Sequence, residues 1–411
     1  MRHVVNPLLR HRLMPLLVVL QVALACAIAC NALFLLQQKL VPILTPDGIG
    51  APDRLVMAWN IASRGKPWPT SRLLEVRQAL RALPGVSAAS VAGSLPMETN
   101  AQMNGEAIAE DTRIKADDAA VYIGADLVDT LGLQLVAGRD FSAEEQAIQY
   151  HGMGINDSGP TIITRALAHR LFPDGHALGK VIRIGDAADA AHRTVVGVVQ
   201  HLMSNKFDAD GGNVDYTMLF PGVPGDWPMP VFAVRAAPGA DVERVRKAVK
   251  DTIHRELGNQ LIQGFEPSIQ MYGDMRAHAL AKFRAAVWLL AGVSVVVLVV
   301  TLAGIMGLTG YWVQQRTRQI GIRRALGARR HHILRELQLE NLLVVGAGVL
   351  LGLACAYGIN LWLMRHYELT RLSWPYLPFG AALMLLLGQL AVLSPALRAS
   401  RVPPVVATRS V

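Results

Sequence analysis

Charge is scarce in this sequence. Only 17% of its 411 residues are Asp, Glu, Lys or Arg, whereas a soluble domain usually carries about a quarter. Cysteine is nearly absent too. The three present, Cys26, Cys30 and Cys355, all fall in apolar runs, and none lies between residues 37 and 284. That stretch must therefore fold without disulfides, whichever compartment it faces. Catalytic signatures are missing as well. There is no G-x-S-x-G elbow for a hydrolase, and His151, His169, His176, His192 and His201 lack the spacing of a zinc site. The run Gly175–Val181 comes near a phosphate-binding loop, but its glycines stand one residue too close. Val181 also occupies the place of the hydroxyl that would reach Mg²⁺. A turn between a helix and a strand is the expectation there.

Apolar side chains are plentiful at 52% of the total, and they collect in four blocks. The first, Leu13–Leu36, would reach about 36 Å as a helix, against a bilayer core of ~30 Å. It runs on into Gln37, Gln38 and Lys39 without an A-x-A-like exit site, so an uncleaved anchor is expected. Ala23 and Ala27 stand where a lipoprotein signal carries a large aliphatic residue, so lipidation of Cys26 or Cys30 is not expected. The other blocks are Ala285–Val313, Leu342–Met364 and Tyr376–Leu393, and none contains Asp, Glu, Lys or Arg. A charge at mid-bilayer costs ~2.5–3.5 kcal/mol, so these blocks read as transmembrane helices. Their lack of ionisable groups argues against a proton or ion relay. Gly304, Gly307 and the pair Gly348 and Gly352 are candidate helix-packing positions, because small residues let membrane helices approach closely.

The net charge of +9 is concentrated in three places. Residues 2–12 hold Arg2, Arg10 and Arg12, residues 314–338 hold seven arginines against Glu336, and residues 395–411 hold Arg398, Arg401 and Arg409. Between 37 and 284, 25 basic side chains face 28 acidic ones. A basic excess confined to short segments beside apolar blocks is the positive-inside pattern and not a nucleic-acid surface. The expected fold class is a membrane α-helical protein with four transmembrane helices, arranged 1+3, and a large mixed α/β extracytoplasmic domain. The expected domains are a cytoplasmic N-terminus at 1–12, the first span at 13–36 and the extracytoplasmic domain at 37–284, with room for two subdomains. The second span follows at 285–313, a cytoplasmic loop at 314–338, the later spans at 342–364 and 376–393, and a cytoplasmic tail at 395–411.

Within 37–284, residues 40–70 are rich in Pro and Gly and read as an irregular lead-in. The spacing of Leu73, Val76, Leu80 and Leu83 predicts a helix that stops at Pro84-Gly85. Helices are also expected at Asp126–Leu131, Arg165–Phe172 and Asp241–Leu257. Strands are expected at Val86–Val91, Ala119–Ile123, Thr161–Ile163, Thr194–Val199 and Val231–Val234.

The stretch Gln314–Leu337 sets Ile320, Leu326, Ile333, Leu334 and Leu337 among arginines, as in a segment lying along a membrane surface. Within it, Arg316–Ala328 reads RTRQIGIRRALGA. This resembles the R-T-x-E-I-G-I-R-x-A-L-G-A signature of MacB/FtsX-type ABC transporter permeases. Tyr122–Phe141 (YIGADLVDTLGLQLVAGRDF) and Arg165–Lys180 (RALAHRLFPDGHALGK) are similar to that family's MacB-like periplasmic core domain. Pro395–Val405 (PALRASRVPPV) is similar to the end of its FtsX-like permease domain, placed at about 285–405.

The resemblance implies a non-catalytic permease subunit in the cell inner membrane, with both termini cytoplasmic and the large domain periplasmic. It implies that Arg316, Arg318, Gln319, Gly321, Arg323, Arg324, Leu326 and Gly327 form an ATPase-coupling loop. Gln319 departs from the family's usual Glu, so an ion pair with a basic partner is lost there. The chain has neither G-x-x-x-x-G-K-[ST] nor L-S-G-G-Q. ATP and Mg²⁺ are therefore expected on a partner ABC ATPase subunit, with no cofactor in this chain. The other implied partners are a second permease chain (identical or a paralogue), a periplasmic adaptor, an outer-membrane channel and membrane lipid. Export from the periplasm is the leading expectation. Lipoprotein release and FtsX-like regulation of cell-wall hydrolases are the alternatives.

Overall fold

The structure, a computed structural model, describes residues 13–97, 104–109, 113–150, 157–185, 190–204, 214–223, 225, 227–315, 320, 322, 329–367 and 375–400. The chain divides into two compact units, one of Met1–Val41 with Phe283–Val411 and the other of Pro42–Lys282.

Helix α1 (Leu13–Leu44) runs past the expected Leu36, takes Gln37, Gln38 and Lys39 with it, and stops two residues after Pro42. Proline removes a helical hydrogen bond and clashes with the preceding turn, so an ending there is natural. Within the segment expected to be irregular, β1 (Leu55–Trp59) forms from an unbroken apolar run whose first four residues are all buried. Helix α2 (Thr70–Arg81) buries Leu73, Val76 and Leu80 and ends before Pro84-Gly85, as its spacing predicts. Strands β2 (Val86–Ala92), β3 (Asn104–Ile108) and β4 (Lys115–Ile123) follow, then α3 (Leu127–Leu131) and β5 (Leu135–Gly138). Next come α4 (Ala143–Gln146), β6 (Gly159–Thr164), α5 (Arg165–Leu171), β7 (Val181–Ile184), β8 (Ala191–Val199) and β9 (Thr217–Phe220). The unit closes with β10 (Val231–Ala236), α6 (Val242–Leu257), β11 (Ser268–Met271) and α7 (Tyr272–Ala279).

These strands build two sheets. The first has the order β11-β1-β10-β2 and is antiparallel throughout. Helices α2 and α6 cover it, with Val245, Val249, Ile253 and Leu257 of α6 packed beside Val56, Phe232 and Val234. Each such fully buried side chain is worth ~1.5–3 kcal/mol, so the two apolar helix stripes fasten the layer. The second sheet has the order β5-β8-β6-β9-β4-β3-β7, and β7 pairs back onto β8, so six of its strands close into a ring. One edge of the nine-residue β8 serves both β7, at 191–194, and β5, at 197–199. Closure hides edges that would otherwise recruit foreign strands. Val121, Ile163, Val195, Met218 and Phe220 fill the core of this sheet. The fully buried Arg193 stacks on Phe220 at 3.8 Å from the ring centroid and donates to the Tyr150 hydroxyl at 3.2 Å.

Helices α8 (Ala281–Gln315), α9 (Arg330–Tyr367) and α10 (Tyr376–Ser400) complete the chain. With α1 they are, among the described residues, the four helices long and apolar enough to cross a membrane. Helix α1 touches each of the others. Gln21 Nε2 donates to the Val300 carbonyl of α8 at 3.1 Å, and Asn31 Nδ2 to the Ala356 carbonyl of α9 at 3.4 Å. Phe34 meets Tyr376 of α10 edge-on at 5.6 Å. On α8, by contrast, Trp288, Leu289, Val296 and Val299 all stand more than half exposed.

Candidate functional site

The expected coupling residues, Arg316, Arg318, Gln319, Gly321, Arg323, Arg324, Leu326 and Gly327, lie outside the described residues. Of their neighbours, Ile320 is buried against Val313 of α8 and Ile333 of α9, whereas Ile322 is exposed. The apolar residues that punctuate this basic stretch therefore do not all share one environment.

The candidate packing glycines divide into two kinds. At Gly348 an added Cβ would stand 2.8 Å from Val22 Cβ, and at Gly352 it would stand 2.7 Å from the Ala23 carbonyl oxygen. At Gly304 it would overlap the Gln21 amide, whereas Gly307 has nothing within 4 Å. Gly380, beside Cys30 Sγ, and Gly388, beside Val345, are equally tight and carry no GxxxG spacing in the sequence. Overpacking a close contact typically costs about 1–3 kcal/mol. Gly352→Ile is therefore expected to lower the unfolding midpoint of the purified full chain, while Gly307→Ile leaves it unchanged. Equal midpoints for the two variants would show that the α1–α9 contact does not hold the bundle.

Polar side chains also meet inside the helical unit. Glu340 is 2% exposed, and the neighbouring Asn341 donates through Nδ2 to the Gly388 carbonyl at 3.1 Å, joining α9 to α10. Sequence reasoning passed over both, since they fall between the basic loop and the expected third span.

The most elaborate arrangement lies where the chain leaves α1. Asp47 accepts through Oδ2 from the Tyr272 hydroxyl at 3.2 Å and pairs with Arg276 Nε at 3.0 Å. Its Oδ1 accepts from the Ile49 amide at 3.1 Å. Tyr272 and Arg276 sit one turn apart on α7, the helix that leads into α8, so they present one face. The Asp47 carbonyl takes the Met203 amide at 3.1 Å, while the Met203 carbonyl accepts from the buried Tyr122 hydroxyl at 2.9 Å. Gly48 adopts φ +83°, and a Cβ there would stand 1.9 Å from the His201 carbonyl oxygen, so only glycine fits. Two residues on, the Gly50 carbonyl accepts from Arg235 Nη1 at 2.7 Å, and Arg235 Nε reaches the Thr130 carbonyl. Burial, with Arg54 nearby, pulls the Arg235 pKa down. Thus Asp47 and Gly50, just past α1, are tied to the segment after β8, to β10 and to α7, and through Arg235 to α3. All of these contacts lie within the α/β unit, as a joint between its own lead-in segment and its strands and helices. No sequence signal marked Asp47, because Tyr272 is 225 positions away.

Known families match both parts of the chain. Residues 39–252 match the family described as the MacB-like periplasmic core domain, and residues 291–404 match the FtsX-like permease C-terminal family. The macrolide export ATP-binding/permease protein MacB of Chromobacterium violaceum is 26% identical over 351 residues, covering 83% of this chain and 50% of that protein. An uncharacterized ABC transporter permease of Bacillus subtilis, YvrN, is 26% identical over 254 residues, covering 60% of this chain and 61% of that one. The chain thus spans about half the length of the first relative and three fifths of the second. Among solved structures, the periplasmic region of MacB from Actinobacillus actinomycetemcomitans aligns with 58% of this chain and 96% of its own, at 12% identity and a TM-score of 0.37.

Proposed function

The chain belongs to the ABC transporter permeases that join a MacB-like periplasmic core domain to an FtsX-like permease domain, and from that premise we propose that it converts ATP turnover by a partner ATPase into movement of its outer domain. The observation that carries this reading is the match of both families in one chain, the first at 39–252 and the second at 291–404. Four apolar helices supply the membrane part. The placement of the arginines supports an inner-membrane protein in a 1+3 arrangement, with both termini and the 314–338 loop in the cytoplasm. In this reading Arg316, Arg318, Gln319, Gly321, Arg323, Arg324, Leu326 and Gly327 dock on the ATPase, and a second permease chain completes the pair. ATP and Mg²⁺ are held by the ATPase. The relatives described as macrolide exporters favour outward export, handed to a periplasmic adaptor and an outer-membrane channel.

Two experiments test this. Purification of the chain with its native complex, followed by mass spectrometry, is expected to recover an ABC ATPase. Recovery of the complex without one would overturn the proposal. A lipoprotein chaperone or a cell-wall hydrolase in place of an adaptor would replace export with the corresponding role. A single cysteine placed at 323 should resist an impermeant thiol reagent applied to spheroplasts, whereas one at 244 should react. Labelling at 323 from outside would overturn the topology.

A further inference from the structure

The α/β unit contains a cleft of about 440 Å³ that the joint and the helices leave unused. Helix α5, the turn that follows it, and strands β5 and β8 form its walls. The stretch Arg165–Lys180, noted in the sequence for its family likeness, supplies most of them. Phe172 lies buried in the floor, and Val136 and Leu178 form apolar lips that are 41% and 45% exposed. Few other large apolar side chains of this unit stand so open to solvent. Gly138 shapes one lip, because a Cβ there would stand 2.7 Å from Leu178 Cδ2.

The rim is cationic or hydrogen-bond donating. Arg165, His169 and His176 line it, and no carboxylate does. The nearest acid along the chain, Asp174, is turned onto the His176 backbone amide at 3.2 Å. Arg165 gives one of its five N–H groups to Gln200 Oε1 at 3.3 Å. A volume in the small-molecule range, an exposed apolar mouth and a rim without negative charge define one kind of occupant.

We propose that this cleft binds a small anionic amphiphile, with its apolar body between Val136, Phe172 and Leu178 and its acidic head at Arg165 and the two imidazoles. If the export reading above holds, this names the class of cargo that the outer domain takes up.

The full chain in lipid nanodiscs, with no ATPase present, is photolabelled with a diazirine-bearing dodecanoate or with its dodecyltrimethylammonium counterpart. Peptide mass spectrometry then locates the label. Label on the transmembrane helices serves as the internal reference for probe held in the bilayer. The carboxylate probe is expected to label residues 165–178 about tenfold more than the cationic probe, and Arg165→Glu or Leu178→Asp to remove most of that label. Equal labelling by the two probes, labelling unchanged in both variants, or none within 165–178 would each overturn the assignment. Such a failure leaves the ATPase partnership standing, and a missing ATPase leaves the cleft standing.

Discussion

Arg323→Glu, and separately Gly327→Asp, are expected to abolish stimulation of the partner's ATP hydrolysis while leaving membrane insertion intact. The physical reason is charge and fit at a small contact. Residues 314–338 carry seven arginines and one glutamate, so a partner surface that received them, as proposed, would be complementary and acidic. Removing one member of a desolvated charge pair costs ~2–5 kcal/mol, and reversing it adds like-charge repulsion. At 1.4 kcal/mol per factor of ten, docking weakens by roughly thirty-fold to several thousand-fold. Gly327→Asp adds both volume and a negative charge where the family motif has glycine. Insertion should survive, because neither position belongs to an apolar span and each variant still leaves the loop strongly basic. The measurement is ATPase rate with and without the permease, beside membrane content by immunoblot. Full stimulation with either variant would remove the coupling role from this loop.

The second large effect is expected at Asp47. Asp47→Ala deprives the buried Tyr272 hydroxyl and the Ile49 amide of their acceptor and Arg276 of its counter-charge. An unsatisfied buried polar group costs ~1–3 kcal/mol, which loosens the joint without unfolding a domain that has two other large cores. If the chain exports as proposed, ATP hydrolysis should continue while export falls about tenfold. Asp47→Asn keeps an acceptor for Tyr272 and loses only the ion pair, so it should fall between wild type and alanine. Amide hydrogen exchange at Ile49 and Met203 should quicken in Asp47→Ala even without the ATPase. Proportional loss of hydrolysis and export would instead mark Asp47 as a purely structural residue.

The sequence disclosed some of this architecture readily. Four apolar blocks, the 3.6-residue stripes of α2 and α6, and the runs that became β2, β4, β6, β8 and β10 are strong periodic or compositional signals. The strands it hid are short or mixed. β3 is Asn-Gly-Glu-Ala-Ile, β7 is Val-Ile-Arg-Ile and β5 and β11 have four residues each. Their stability comes from neighbours supplied by distant segments, and local propensity carries little of it. Ring closure through β7 and β8 has no local signature at all.

The same limit applied to the sites. Spacing singled out Gly348 and Gly352, which lie against α1, but it could not separate Gly304, which meets Gln21, from Gly307, which meets nothing. Gly380 and Gly388 went unnoticed because nothing in their own helix marks them. The joint at Asp47 was invisible for the reason that makes it a joint: its partners come from opposite ends of the α/β unit's sequence.

The central place of α1 has a consequence for biogenesis. This helix is made before the other three, and 236 residues separate its end at Leu44 from the start of α8 at Ala281. At ~5–20 residues per second, a ribosome needs roughly ten to fifty seconds to supply the first of its partners. Until then the Gln21 amide lacks the Val300 carbonyl that later receives it, whereas Asn31 lacks its Ala356 partner but can still donate to Ala27 one turn back in its own helix. The nascent protein is thus most open to proteolysis while the α/β unit is still being made. Release from that vulnerability waits on the last third of translation.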